Sequence, residues 1–268
     1  MVVILPPKIS PAMQRIRGEG RVALTRAGLR DLRQSGSGKA MLPRVDGDVP
    51  EVVFLNTAGG VTSGDVLDYA LDIGPGARAT GATQTAERAY RATQGPGRVN
   101  VRLSVGAGGR LDWLPQEVIV FEGADLARVT EVDLADGATF LGVESVVLGR
   151  AAHGEVVTRA RLSDLRRIRV NGAPLHEEHL AIGPEALADP AALGGMRAFA
   201  TLVLVGPGAG DALESLRAAL GADGHASAWD GRVVARLVAR DAAPLRRALI
   251  RAIVALRGLP MPRVWQCD

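Results

Sequence analysis

EVVFLNTAGGVTSGDVLDYALDIGPGARATGATQTAERAYRA, residues Glu51 to Ala92, alternates short strands with glycine turns. Val52 to Leu55 is an apolar run of the length a buried strand has. It stops at Asn56-Thr57-Ala58-Gly59-Gly60, and Ser63-Gly64-Asp65 makes a second turn. Glycines this close together mark backbone that needs positive φ or approaches another surface. From Val66 to Ile73, Leu67, Tyr69, Leu71 and Ile73 share one face, while Val66, Asp68, Ala70 and Asp72 share the other. Gly74-Pro75-Gly76 then turns the chain into Ala77–Thr83, and the polar run Gln84 to Arg91 follows. Polar groups gathered around glycine turns suit a site as well as a tight hairpin. No catalytic spacing fits them.

The same grammar extends in both directions. Gly20 to Arg26 alternates, Leu29 to Gln34 is a shorter candidate, and Lys39 to Val45 can pair back after Ser35-Gly36-Ser37-Gly38. Downstream, the spacing predicts strands over Arg98–Val105, Arg110–Leu114, Gln116–Phe121, Asp125–Asp133, Thr139–Leu148, Glu155–Leu162, Arg166–Val170 and His176–Ile182. A Gly-Ala pair opening a strand recurs at Gly76-Ala77, Gly106-Ala107 and Gly137-Ala138, which points to a structural repeat of roughly thirty residues. The expected fold is mainly β: a long twisted sandwich or a solenoid-like stack of antiparallel strands. After Pro184 the character becomes α/β. Phe199–Gly206 and Arg232–Val238 read as strands, Asp211–Leu220 and Asp241–Leu256 as amphipathic helices. Two to three helices are expected in all. We expect one domain over 1–268, with a β-rich part (18–183) and an α/β section (184–268) packed on it.

Composition narrows the function classes. The chain has 268 residues, 47% hydrophobic but only 3% aromatic, so its core must rest on Val, Leu and Ala. Apart from Lys8 and Lys39, every basic residue is arginine, yet the net charge is only +3. That balance argues against nucleic acid, which demands a concentrated basic face. A single cysteine, Cys267, leaves no intramolecular disulfide and fits a reducing compartment. The N-terminus lacks the basic and apolar regions of a signal peptide, and no window has the length of a membrane span. A soluble cytoplasmic protein is expected.

Enzyme motifs fail one by one. Gly38-Lys39 suggests a phosphate loop, but Arg33 replaces its first glycine and Ala40 its Mg²⁺-binding hydroxyl. Gly206-Pro207-Gly208-Ala209-Gly210 has its third glycine one residue early for a dinucleotide loop. There is no Gly-x-Ser-x-Gly elbow. His176-Glu177-Glu178-His179 is one residue short of the zinc-protease spacing, and in a strand its two imidazoles point to opposite faces. Cys267 stands beside the last residue with no histidine near it in sequence, and no role is assigned to any of these three. Carboxylates are more informative. Glu117 follows Trp113-Leu114-Pro115-Gln116, Glu155 follows a Gly-Arg turn, and Glu144 interrupts an apolar strand, sharing a face with Gly142, Val146 and Leu148. An acid in that company must be paired with an arginine such as Arg150 or Arg159, solvated by internal water, or functional.

The ordered motifs resemble one family. Thr57-Ala58-Gly59-Gly60 with Gly64-Asp65, then Thr83-Gln84 with Ala86-Glu87-Arg88 and Tyr90-Arg91, are similar to paired signatures of the UreD (UreH) urease accessory proteins. Ser63 stands where family members often have a further glycine. Trp113-Leu114-Pro115-Gln116-Glu117, Phe121 and Gly123, Glu144 with Gly149-Arg150 and Gly154-Glu155, and Leu259-Pro260-Met261-Pro262-Arg263-Val264-Trp265 extend the likeness nearly end to end. His153 replaces a common methionine. The resemblance implies a mostly β, non-enzymatic chaperone of nickel insertion. It would bind the urease apoprotein and UreF, which recruits the GTPase UreG, with homodimeric assembly through UreF. It also implies transient Ni²⁺ in an internal polar passage rather than a bound cofactor, and Asp65, Glu87, Glu117, Glu144 and Glu155 are the expected lining. Two rival readings stand beside it: a β-rich hydrolase using the acids Glu117 and Glu144, and a passive β-scaffold.

Overall fold

A computed structural model describes residues 15–45 and 47–266; Lys8 and Cys267 lie outside them. The chain opens with a hairpin, β1 (Arg17–Thr25) and β2 (Gly28–Gly36), and crosses to a second sheet through β3 (Gly38–Met41) and β4 (Glu51–Asn56). From there it coils. β5 (Val66–Ile73) lies in the first sheet, β6 (Arg78–Thr83) in the second, and β7 (Glu87–Ala89) closes the turn on a short third side. The next coil repeats this with β8 (Gly97–Val105), β9 (Arg110–Trp113) and β10 (Val118–Val120). A third places β11 (Asp125–Leu134) beside β8 and β12 (Thr139–Leu148) beside β9, and β13 (Arg161–Val170) begins a fourth. The result is a β-solenoid of about four turns.

The expected solenoid is there, but its strands run differently. Successive coils stack β1, β5, β8, β11 and β13 in parallel, as they do β4, β6, β9 and β12. Among the described residues, antiparallel strand pairs are confined to the ends of the sheets, at β2, β3, β14 (Ala173–Ile182) and β15 (Ala198–Val205) with its neighbours. The cause lies in the turns. Gly74–Ala77, Gly106–Gly109 and Ala135–Ala138 each close with a bond from the fourth amide to the first carbonyl (3.1, 2.9 and 3.1 Å). Each carries the chain to the opposite sheet instead of back along its own. The glycine that must take positive φ is the third of each turn, Gly76, Gly108 and Gly137. The repeat is therefore real, but its middle member is Gly108 rather than the expected Gly106-Ala107 pair. Turns of neighbouring coils also bond to each other, Gly76 N to Ala107 O at 2.9 Å and Gly108 N to Asp136 O at 3.0 Å.

Parallel stacking puts like residues in columns between the sheets. Leu24, Ile73, Val105, Leu134 and Val170 form one, Val22, Leu71, Leu103, Val132 and Ile168 the next. After β14, two short helices, α1 (Pro184–Ala188) and α2 (Pro190–Leu193), lead to β15. Then α3 (Leu213–Leu220), β16 (Gly224–Trp229), β17 (Arg232–Ala239) and α4 (Ala242–Arg257) follow. Strands β15, β17 and β16 extend the second sheet, and Leu216, Leu220, Leu245, Leu249 and Ile253 pack on its outer face. Asp241 accepts the Ala242 amide at 2.7 Å to cap α4, and Gly258 ends it at φ 64°. The strand expected over Glu155–Leu162 begins only at Arg161, because the Glu155 side chain is folded back onto the turn before it.

Candidate functional site

The columns turn polar at one level of the solenoid. Where β5 and β8 present Leu67 and Val99, β11 and β13 present Arg128 and Asp164; where those strands have Tyr69 and Val101, they have Thr130 and Arg166. All four polar residues are buried. Glu144, on β12 across the interior, reaches the same group. Arg128 Nη1 lies 2.7 Å from Glu144 Oε2, and its Nη2 and Nε donate to Asp164 at 2.7 and 3.0 Å. Arg166 stands 3.6 Å from both Asp164 and Glu178, and Glu178 binds Arg236 at 3.0 Å. Trp113, Thr130, Glu144, Arg166, His176 and Glu178 surround a cavity of about 20 Å³, room for about one water.

One arginine shared by two buried acids splits their protonation. Burial pushes the Glu144 carboxyl up, and the pull of Arg128 does not offset it. Burial acts on Asp164 too, but the charge of Arg128 and the two hydrogen bonds it donates outweigh it and hold that carboxyl below the usual range. Glu178 is held at about 2: burial opposes its charge, but His176, Arg166 and Arg236 prevail. The cluster can therefore exchange a proton at Glu144 and present carboxylate oxygen at Asp164 and Glu178.

The other expected residues lie elsewhere. Asp65 is buried and fully engaged, accepting the Ile16 amide at 2.9 Å and the Thr62 amide at 2.8 Å, so it stitches the turn at Gly64 (φ 72°) to the start of β1. Glu155 accepts Arg150 N at 3.0 Å, Arg150 Nε at 2.8 Å and Glu122 N at 3.2 Å. Arg150 also lies over the Phe121 ring at 4.6 Å. Arg150 therefore pairs with Glu155 and Arg159 with Glu122, and Glu144 finds Arg128 instead. Glu117 is half-buried beside α4, 3.7 Å from Arg246, in a crevice with Ser145 and Trp265. It thus opens on the side of the second sheet away from Glu144, and the two acids share no cleft. Glu87 lines a third, polar cavity of about 30 Å³ with Asn56, Tyr69 and Gln84. Burial raises its carboxyl to about 6, against weak help from Asn56 at 3.4 Å and the Arg88 amide at 3.2 Å.

The glycine signatures build that third side. Val61 and Arg88 to Tyr90 bond both ways at 2.8 Å, and a Cβ on Gly60 would sit 2.2 Å from the Tyr90 ring, so only glycine fits. Tyr90 reaches Gly59 O at 3.4 Å and packs edge-on against Phe121. Thr57 Oγ1 donates to Ser37 O at 3.1 Å, and Arg91 O accepts Thr62 Oγ1 at 2.7 Å. Pro115 leads into Gln116, whose amide bonds Thr83 Oγ1 (2.9 Å) while its side chain holds Val264 O (2.8 Å) and Arg246 (2.6 Å). His176 faces the ion cluster and His179 faces out to Ser163 at 2.9 Å, as strand geometry requires. Among the described residues no group of three or more His, Cys, Asp or Glu is placed to hold a metal ion. No helix among them is long and apolar enough to cross a membrane.

Comparison with known proteins agrees with the motifs. The profile described as "UreD urease accessory protein" matches residues 16–266. The urease accessory protein UreD of Cereibacter sphaeroides is 53% identical over 99% of this chain and 100% of its own. Those of Paracoccus denitrificans and Rhizobium leguminosarum are 51% and 45% identical, over 95% and 94% of this chain and 93% and 96% of theirs. The chain belongs to the UreD family of urease accessory proteins, non-catalytic proteins of urease maturation.

Proposed function

We propose that the protein acts in the cytoplasm with UreF and the GTPase UreG to bring nickel to the urease apoprotein, and that the ion moves between the two sheets of the solenoid. The carrying observation is the buried Glu144–Arg128–Asp164 cluster beside a water-sized cavity. Buried charge this dense adds little net stability compared with an apolar core. It does supply exchangeable oxygen ligands, the donors that a hard-to-borderline cation needs in transit. Nickel is cargo here, held transiently. Glu144 contributes a carboxyl that releases its proton when a cation replaces Arg128 beside it. Glu87 offers a second acid, half-buried in a polar cavity. Asp65 and Glu155 serve the route by fixing the turns around it, and Glu117 by meeting α4. GTP chemistry is left to UreG: Gly36 ends β2, Gly38 and Lys39 open β3 with only Ser37 between them, and Lys39 Nζ is bound to Gly36 O at 2.8 Å, so no phosphate loop forms there.

The test is to make Glu144→Gln and Glu87→Gln, confirm that each assembles with UreF and UreG, and measure nickel content and activity of urease matured with it. We expect assembly with at least about tenfold slower maturation for one or both, the scale on which losing a group that supports a metal site acts. Normal maturation by both assembled variants overturns the route.

A further inference from the structure

We propose that the free edge of β2 is a docking site for a second copy of this chain, the two β2 strands pairing antiparallel about Leu32. Among the described residues β2 ends its sheet and pairs only with β1. All nine of its residues are exposed. Leu29 and Leu32 stand opposite Leu24 and Val22, so they continue the two apolar columns of the core past the last covered strand, at 52% and 38% exposure. The neighbouring edge at the same end is treated differently. On β3 the Ala40 amide is taken by the Gln34 side chain at 3.1 Å. Edge strands left open and apolar invite another strand.

The sequence of β2, GLRDLRQSG, says which strand fits. Laid antiparallel against itself with Leu32 facing Leu32, it pairs Asp31 to Arg33 in regular register, on the near side of the bulge that leaves Arg30 without a partner on β1. Asp31 then faces Arg33 twice, on the outer face of the sheet, and the two Leu32 side chains meet on the core face. Directly opposed residues of opposite charge favour pairing, and like charges oppose it. Asp31 has no ion pair among the described residues, and Arg33 has one long contact, 3.5 Å to Glu19. The arrangement is isologous and closes at two copies. A seam of one strand pair is small, so association in the range of roughly 10–100 µM is expected.

The experiment is sedimentation equilibrium on the full chain, with amide hydrogen exchange followed by peptide. Wild type should dimerise with rising concentration, and protection should grow over residues 28–36. Asp31→Arg places two arginines opposite Arg33, and Arg33→Asp places two aspartates opposite Asp31. Each should weaken the dimer about tenfold by reversing two cross-strand pairs. Both positions are exposed, so the fold should survive, as circular dichroism would verify. Mixing the two single variants restores opposite charges at both contacts and should recover wild-type affinity as a heterodimer, and the double variant should do so alone. A wild type that stays monomeric, or a dimer insensitive to both single changes, overturns the proposal. So does protection of 28–36 that appears only when UreF or urease is added, which would assign the edge to a strand of that partner.

Discussion

Glu87 is the carboxyl whose proton the fold holds most openly, and that gives it a measurable pH signature. Its ordinary value is 4.5 and burial raises it to about 6. Between those values the folded chain binds more proton at this site than the unfolded chain, so stability falls as pH rises through that window and stays lowered above it. The effect is at most about 2 kcal/mol. Glu87→Gln should therefore gain about 1–2 kcal/mol in urea unfolding at pH 7.5 and almost nothing about one pH unit below the ordinary carboxylate value; equal effects at both would contradict a proton-holding acid. Arg128 predicts the opposite sign. Arg128→Ala strands Glu144 and Asp164 and should cost about 3–5 kcal/mol, while Glu144→Gln, which leaves the Arg128–Asp164 pair, should cost far less. Glu144 was legible in the sequence because its strand is otherwise apolar. Its partner was not, since strand alternation gives faces and not which coil lies beside which. A signal did exist: Leu126, Val132 and Leu134 share a face with Arg128, and Leu162, Ile168 and Val170 share one with Asp164 and Arg166. Two apolar faces broken at the same depth are a buried ion pair seen twice.

At the scale of elements, the sequence defined strands well and their partners poorly. Val66–Ile73 and Thr139–Leu148 have the expected bounds, since alternation is local and the turns flanking them are glycine-rich. Direction depends on whether a turn crosses between sheets or returns within one, and Gly-Ala pairs read the same in both cases. β16 was missed because His225, Ser227 and Trp229 are exposed at a sheet end, where no apolar alternation is required. The α4 helix was plain from its stripe, but the lock on it was not. Arg257, at its last turn, is buried with Nε 3.1 Å from Asp112 and Nη2 2.9 Å from Thr80 Oγ1, joining the helix to β9 and β6. Arg257→Met keeps much of the packing and leaves Asp112 with Arg110 alone. It should cost about 3 kcal/mol and loosen the helix enough that an arginine-specific protease cuts at Arg246, Arg247 or Arg251, which wild type should resist. Cleavage rates equal to wild type would mean that the apolar face alone holds α4.

At the scale of the whole molecule, the pattern of strands and helices leads us to expect that solenoid and α/β section are one folding unit over 1–268. Solenoids are quasi-one-dimensional, and a coil that touches only its neighbours can unfold by parts. This one has a cross-brace. The second sheet is apolar on both faces: Phe140, Val146 and Val203 point into the core between the sheets, while Leu141, Val143, Leu202 and Leu204 point into the core beneath α3 and α4. Removing the helices would expose β12 and β15, and opening the coils would remove the floor on which the helices rest. The C-terminal segment adds a tie, with Trp265 Nε1 donating to Leu114 O at 2.8 Å and Arg246 lying 4.5 Å over the indole. Trp113 sits in the inner core and Trp265 in the outer one, so each reports on its own layer. We therefore expect one transition in urea, with the same midpoint whether followed by helical far-ultraviolet signal or by fluorescence in Trp113→Phe and Trp265→Phe variants, once each is corrected for its own loss of stability. If helical signal is lost at a lower urea concentration while Trp113 stays shielded from quencher, the section after residue 183 is a separate unit docked on the solenoid, and the shared sheet is a contact rather than a common core.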